Sequence, residues 1–160
     1  MKLDLGCGNN KPNGYTGLDL KGADIIQDME ETPWPIESDS CETVRAYHIL
    51  EHIKPWKILS VMDEIWRITK PEGILHVVVP THWSYRVDPT HCLQWERDSF
   101  AYFDPLLFNY QVYWPKPWGI LADYPKSEKY TLECKMMKLT IDRLNNINGL
   151  DFEHLRRLHG

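Results

Sequence analysis

Leu3-Asp4-Leu5-Gly6-Cys7-Gly8, answered downstream by Gly17-Leu18-Asp19-Leu20, is the stretch whose reading decides the fold. Met1 to Leu5 is a short apolar strand that runs directly into two glycines. Glycine belongs at such a strand end because a side chain there would hold a ligand away from the backbone. Gly17 to Leu20 is a second strand, and it ends at a carboxylate, which can accept hydrogen bonds from both hydroxyls of a ribose. In an open α/β sheet this is the edge where ligands bind. Two glycines alone would mean little; glycines, strand context and a terminal acid together point to a ligand-binding edge.

Outward from this stretch, strands and helices alternate, which implies α/β architecture with a mostly parallel sheet covered on both faces. Ala23 to Gln27 reads as a third strand and Thr43 to Tyr47 as a fourth. From about Pro55 to Thr69 the period becomes helical: Ile58, Met62, Ile65 and Trp66 share a face, with Lys57, Asp63, Glu64 and Arg67 outward. Pro71-Glu72-Gly73 is expected to stop that helix, and Ile74 to Val79, closed by Pro80, reads as a buried central strand. Thr81 to Leu93 reads as a loop. Glu96 to Phe103 is expected to be a short helix with Phe100 and Phe103 inward. Phe108 to Trp114 and Tyr130 to Leu139 alternate roughly and suggest a C-terminal antiparallel pair joined by a Pro- and Lys-containing connection. Ile141 to Leu158 holds two weak helical segments.

The 160 residues fit one domain, residues 1–160, with 42% hydrophobic and 12% aromatic content. The seven Trp and eight Tyr concentrate between Trp83 and Tyr130. They read either as core packing and loop anchoring or as a pocket wall for an apolar or sugar-like ligand. The net charge of −5, without a run of Lys or Arg, argues against a nucleic-acid partner. No stretch reaches the roughly 20 apolar residues of a membrane span, and no signal peptide is evident. Cys7, Cys41, Cys92 and Cys134 form no C-x-x-C pair and are read as reduced thiols in a cytoplasmic protein. No H-E-x-x-H or similar spacing occurs among the histidines, so no metal is expected.

Taken as they stand, these residues resemble the nucleoside-binding motif of class I S-adenosylmethionine-dependent methyltransferases, small and type-11-like. The resemblance runs through Asp28-Met29, Trp34-Pro35-Ile36, Asp39 to Val44, His48-Ile49-Leu50-Glu51-His52-Ile53, Glu64 to Ile68 and Lys70-Pro71-Glu72-Gly73 to Pro80. Asp88-Pro89-Thr90-His91, Ser99-Phe100 and Tyr102-Phe103 resemble a downstream segment found in a subset of these enzymes. In all it spans about residues 3–105. It implies a Rossmann-like methyltransferase fold with S-adenosylmethionine as cofactor and S-adenosylhomocysteine as product. By position, Asp4 would stand near the amino group of the methionine part, and Gly6, Cys7 and Gly8 would line it through backbone. Asp19 would hold the ribose diol with Leu20 against the adenine. Asp28 would meet the adenine amino group, Met29 would add a backbone contact, and His48 would lie at the methionine end.

The departures from the family pattern are specific. Asn10 occupies the usual third glycine position, and the short span from Asp4 to Asp19 leaves little room for a first helix, so a loop through Lys11-Pro12-Asn13-Gly14 is expected. Glu72 sits where glycine is usual and asks for a turn that tolerates a side chain. The N-terminal helical lid is missing from the pattern. An open site excludes water poorly, so cofactor affinity is expected in the micromolar range or weaker, about −8 kcal/mol or less favourable.

Transfer of a methyl group from a sulfonium is a displacement, in which positioning supplies much of the catalysis. A base is needed only when the attacking O or N is protonated. Asp88 and His91 are the catalytic candidates; the alternative is that Asp88-Pro89-Thr90-His91 is a turn, with Asp88 accepting backbone N–H bonds and His91 fixing the loop. His82 reads as a loop residue and His52 as structural. Neither an Asn/Asp-Pro-Pro-aromatic sequence nor a Pro-Cys nucleophile is present, so a small-molecule acceptor is favoured over DNA. A homo-oligomer in which a second copy covers the site is compatible with the sequence. Two rival readings remain at this level: a nicotinamide-dependent oxidoreductase, which wants a glycine where Asn10 and Pro12 stand, and a non-catalytic binding or assembly protein that keeps the fold.

Overall fold

A computed structural model gives the fold and describes residues 1–104, 118–127 and 131–139. Among the described residues seven strands form one sheet: β1 Lys2–Leu5, β2 Thr16–Asp19, β3 Ile25–Ile26, β4 Cys41–Tyr47, β5 Thr69–Pro80, β6 Trp118–Ser127 and β7 Thr131–Lys138. Their order is β3-β2-β1-β4-β5-β7-β6. The pairs through β5 are parallel, and β7 pairs antiparallel with both β5 and β6. The chain thus leaves β1 in one direction and returns at β4 on its other side, the switch point at which open α/β sheets bind ligands.

Strand alternation sorts the side chains onto two faces. Leu5 lies opposite Leu18 and Ala46, Ala46 opposite Val77, and Val77 opposite Cys134; all five are fully buried. The helix α1, Ile58–Ile68, contributes Val61, Met62, Ile65 and Ile68 to the same core; Glu64, expected outward, is instead buried, because its carboxylate accepts the Trp34 N–H at 2.6 Å and pairs with Arg67. On the other face a polar chain crosses the strands. Asp4 pairs with Arg45 at 3.4 Å, whose guanidinium lies 3.9 Å over the Tyr47 ring. The Tyr47 hydroxyl meets His76 Nδ1 at 3.0 Å, and His76 in turn meets Glu133.

Local departures have physical causes. Helix α1 ends at Ile68, where the Thr69 hydroxyl donates to Ile65 O at 2.6 Å. Pro71-Glu72-Gly73 is therefore not the helix stop but an excursion within β5, whose register on β4 jumps between Cys41 and Thr43. Glu72 takes φ +61° there, the side-chain-tolerant left-handed turn the sequence asked for. Within 81–93 a short helix, α2 (His82–Arg86), replaces part of the expected loop. The expected helix near 96–103 is α3, Arg97–Ala101, with Phe100 and Phe103 buried. Trp95 stacks on Phe100 at 4.9 Å, so these aromatics serve packing.

The partner of β7 also departs from expectation. The stretch read as a connection is itself strand β6, an edge strand, where Pro125 opposite Leu132 is tolerated; its register on β7 shifts at Ile120/Ala122 and Pro125/Ser127. Phe108 to Trp114 and the two helical segments of 141–158 lie outside the described residues. Lys138 is buried, and its ammonium donates to Asp39 Oδ1 at 2.6 Å, Trp66 O at 2.9 Å and Thr69 O at 2.7 Å. That cation satisfies carbonyls at the C-terminal end of α1 and ties the helix to β7.

Candidate functional site

The turn after β1 needs its glycines for two different reasons. Gly6 takes φ +62° and Gly8 φ +48°, left-handed values that disfavour any Cβ. A Cβ at Gly6 would also fall 2.6 Å from Ile49 Cγ1, so the segment after β4 packs directly beneath the turn. A Cβ at Gly8 would meet nothing within 4 Å. Gly6 is closed by the protein itself, and Gly8 faces open space.

Asp19 joins this turn to the end of β2. Its Oδ2 accepts the Gly8 N–H at 2.8 Å and its Oδ1 accepts the Leu20 N–H at 2.6 Å. Each oxygen keeps further acceptor capacity for an incoming hydroxyl. Beside it Leu20 is 64% and Ile26 60% exposed, two large apolar side chains turned to solvent at the same sheet edge. Sequence reasoning assigned Leu20 but missed Ile26, which is indistinguishable from a core residue until the short length of β3 is known. Asp28 is exposed and accepts the Glu30 N–H at 2.9 Å. Met29 is buried, with its carbonyl taken by Trp34 Nε1 at 3.1 Å, which leaves its N–H side for any ligand contact.

A loop stands in place of the first helix, as the short spacing required. Tyr15 N–H closes a turn on Pro12 O at 3.2 Å, with Gly14 at φ +81°. Asp24 accepts the Gly17 N–H at 2.7 Å and pairs with Lys11, whose ammonium it meets in a very short contact. The Gly17 N–H first, and Lys11 with it, hold the Asp24 carboxyl below its ordinary range. Gly17 admits the loop: a Cβ there would sit 2.5 Å from Cys7 Sγ and 3.1 Å from Lys11 Cδ. Lys11, Gly17 and Asp24 were not singled out from sequence, because their role exists only once the helix is gone.

Asp4 is buried, and burial pushes its carboxyl up while Arg45 opposes that shift. Its visible partner is Arg45 rather than open space at the turn. Cys7 is buried too; burial first, then the charges of Asp19 and Asp4, raise its thiol, which makes it backbone support rather than a nucleophile. His48, at φ +53°, is exposed, and its Nδ1 lies 3.4 Å from Glu51 Oε1.

The segment after β5 folds back onto the residues after β4. Glu51 O accepts the N–H groups of Cys92, at 2.7 Å, and Leu93, at 3.1 Å. Asp88 Oδ1 accepts from Thr90 N at 2.8 Å and Thr90 Oγ1 at 2.6 Å. These bonds, the side-chain one foremost, lower its carboxyl. His91 Nδ1 bonds Tyr85 O at 2.8 Å, and its Nε2 lies 3.6 Å from Asp88 Oδ2. Asp88 and His91 are thus brought together, inside the turn that the alternative reading described. An apolar groove of about 500 Å³, lined by Ile58, Leu59, Leu93, Trp95, Tyr102 and Phe103 among others, opens beside this segment. The four cysteines are free thiols.

No protein-family model matches the chain, and no curated protein matches it. Solved structures do resemble it. The 1,6-didemethyltoxoflavin-N1-methyltransferase of Burkholderia thailandensis, with bound 1,6-didemethyltoxoflavin and S-adenosylhomocysteine, has a TM-score of 0.63 at 12% identity, over 87% of this chain and 71% of that one. A SAM-dependent methyltransferase of Archaeoglobus fulgidus gives 0.60 at 13%, over 86% and 85%. The N-methyltransferase NodS of Bradyrhizobium japonicum, in complex with S-adenosylhomocysteine, gives 0.56 at 10%, over 86% and 76%. The fold is that of the class I S-adenosylmethionine-dependent methyltransferases.

Proposed function

We propose that this chain transfers a methyl group from S-adenosylmethionine to an O or N of a small-molecule acceptor. The observation that carries the reading is the pairing of Gly8 with Asp19: an open, side-chain-free backbone position hydrogen-bonded to a strand-end carboxylate at 2.8 Å. Exposed Leu20 and Ile26 beside it supply an apolar wall for a flat ring, and the carboxylates of Asp19 and Asp28 are acceptors suited to the hydroxyls and amine of an adenosine. A dinucleotide reading has no support here, since no helix follows the turn to receive a pyrophosphate.

In this reading Asp19 accepts both ribose hydroxyls with the lone pairs its backbone bonds leave free. Gly6, Cys7 and Gly8 line the methionine part through backbone, Asp28 accepts from the adenine amine, Met29 offers its N–H, and Leu20 packs on the ring. Asp4 and His48 stand at the methionine end. When bound, S-adenosylmethionine supplies an electrophilic methyl group on a sulfonium cation. Asp88 and His91 are the acceptor-side pair. His91, held by Tyr85 O through Nδ1, presents Nε2 to take a proton from the acceptor, and Asp88 stabilises the imidazolium that results. The groove beside Leu93 and Trp95 suits an acceptor with an apolar or ring-shaped body. Free thiols, an acidic charge and the lack, among the described residues, of any helix long and apolar enough to cross a membrane favour a cytoplasmic protein with a small-molecule partner and no nucleic acid.

Incubating the chain with methyl-labelled S-adenosylmethionine and a metabolite extract tests this. Label recovered in a small molecule, and lost with Asp19→Ala, is the expected result. Saturable binding of S-adenosylhomocysteine without any transfer would replace the enzyme reading with that of a binding protein.

A further inference from the structure

Beyond methyl transfer, the residues after β4 carry a second arrangement that the cofactor site does not use. Glu51 is fully buried, and neither carboxylate oxygen has a hydrogen-bond partner among the described residues. A buried carboxylate without hydrogen bonds costs several kcal/mol unless a cation compensates it. The only ionic contact drawn to it among the described residues is His48 Nδ1 at 3.4 Å, from a side chain that is half exposed. Around the same carboxylate the chain gathers two imidazoles: one ligand atom each from Glu51, His52 and His91 lies within 4.8 Å of the others.

The hydrogen bonds around those imidazoles fix which nitrogen is free. Thr90 has one hydroxyl proton, and it goes to Asp88 Oδ1 at 2.6 Å. Thr90 Oγ1 must therefore accept at 3.1 Å from His52 Nδ1–H, which leaves a lone pair on His52 Nε2. His91 Nδ1 faces Tyr85 O, a pure acceptor, at 2.8 Å, so Nδ1 carries a proton, and in the neutral ring Nε2 again holds the lone pair. That lone pair faces Asp88 Oδ2 at 3.6 Å, an arrangement that repels unless something positive sits nearby. Two imidazoles, each with Nδ1 bonded to an oxygen of the chain, gather beside a buried carboxylate, which resembles the outer-shell pattern of protein metal ligands.

We propose that Glu51, His52 and His91 form a binding site for a divalent first-row transition ion, Zn²⁺ or a near neighbour, at the carboxyl edge of the sheet; an ion held there takes the His91 Nε2 lone pair, so His91 takes the acceptor's proton only in the metal-free chain. Two nitrogens and one carboxylate oxygen are a donor set of this class, not that of Mg²⁺ or Ca²⁺. With bonds of about 2.0–2.2 Å, the three donors close inward on the ion. Three protein ligands leave coordination positions for water or a ligand oxygen. Motif reading finds no such site because the third donor arrives from beyond β5, far along the chain from Glu51-His52.

Titration of the chelator-stripped chain with Co²⁺, read by visible absorption, tests the site without any cofactor or turnover. One Co²⁺ per chain, displaced by Zn²⁺, is expected. His52→Ala and His91→Ala should each abolish the stoichiometric spectrum, with circular dichroism confirming the fold. Thr90→Val, at an exposed position, removes the acceptor that orients His52 together with the hydroxyl donor to Asp88, leaves the three ligands in place, and should weaken Co²⁺ binding about tenfold. No stoichiometric uptake, or uptake indifferent to all three substitutions, overturns the proposal and leaves the cluster holding a proton instead. Binding of S-adenosylhomocysteine at Asp19 serves as the separate readout: it stands or falls independently of the metal spectrum.

Discussion

Replacing Gly8 with alanine separates what the turn does for the fold from what it does for a ligand. Gly8 has φ +48°, and a Cβ there meets no atom of the protein within 4 Å. The folded chain therefore bears only the backbone penalty of a left-handed alanine, about 1–2 kcal/mol. Reduced freedom of the unfolded chain returns about 0.4–1 kcal/mol of that, so a net loss near 1 kcal/mol is expected. In the complex the same methyl occupies the space that the ligand needs against the backbone, an overpacking cost of about 1–3 kcal/mol. That converts to a fall in S-adenosylhomocysteine affinity of roughly five- to 150-fold. Gly14→Ala is the matched control: φ is +81° and its Cβ also meets nothing, but it lies in the loop that replaces the first helix. It should cost similar stability and leave affinity within about twofold. Urea denaturation and isothermal calorimetry on both variants provide the comparison. Equal affinity losses, or none at Gly8, would refute a backbone-contact role for this turn.

Other expectations follow from the same coordinates. Gly17→Ala pushes a Cβ to 2.5 Å from Cys7 Sγ and should cost about 1–3 kcal/mol; adding Cys7→Ala should recover part of it, and a denaturation double-mutant cycle measures the coupling. Lys138→Ala takes the ammonium donor from the Trp66 and Thr69 carbonyls and from the exposed Asp39 carboxylate, with an expected loss of about 1–3 kcal/mol in urea unfolding. Asp24 sits below its ordinary range because the Gly17 N–H and Lys11 favour its charged form. Its contribution is therefore full above the unfolded pKa and lost as pH falls through the lower folded value. Melting temperature should drop on acidification below about pH 4, and Asp24→Asn should flatten that limb; an unchanged acid profile would contradict the assignment.

Sequence carried the parts of this molecule that depend on neighbouring residues. Gly6, Gly8 and Asp19 were legible because strand ends, glycines and a carboxylate announce themselves within a few positions. Helix α1 was legible from its period, and the missing first helix from simple lack of residues. The rest depends on where distant segments meet. Nothing local marks Glu51 as fully buried, since its neighbours Leu50 and His52 fit a surface turn as well as an interior one. Lys138 reads as the exposed face of a strand until the end of α1 is placed over it. Strand β6 was read as a connection because proline and lysine weaken alternation, and an edge position is what makes them tolerable. Asp88 and His91 were picked out, but their tie to His52 through Thr90 appears only when the chain after β5 returns to the end of β4.

Calorimetric titration of S-adenosylhomocysteine into the wild-type chain and into Asp19→Ala bears most directly on whether this sheet edge grips an adenosyl group. One-site binding in the micromolar range is expected for the wild type. Losing two hydroxyl bonds to a carboxylate, each worth about 1.5–3 kcal/mol, should weaken the variant at least about a hundredfold. Absence of binding to the wild type, or equal affinity in the two proteins, would contradict the account.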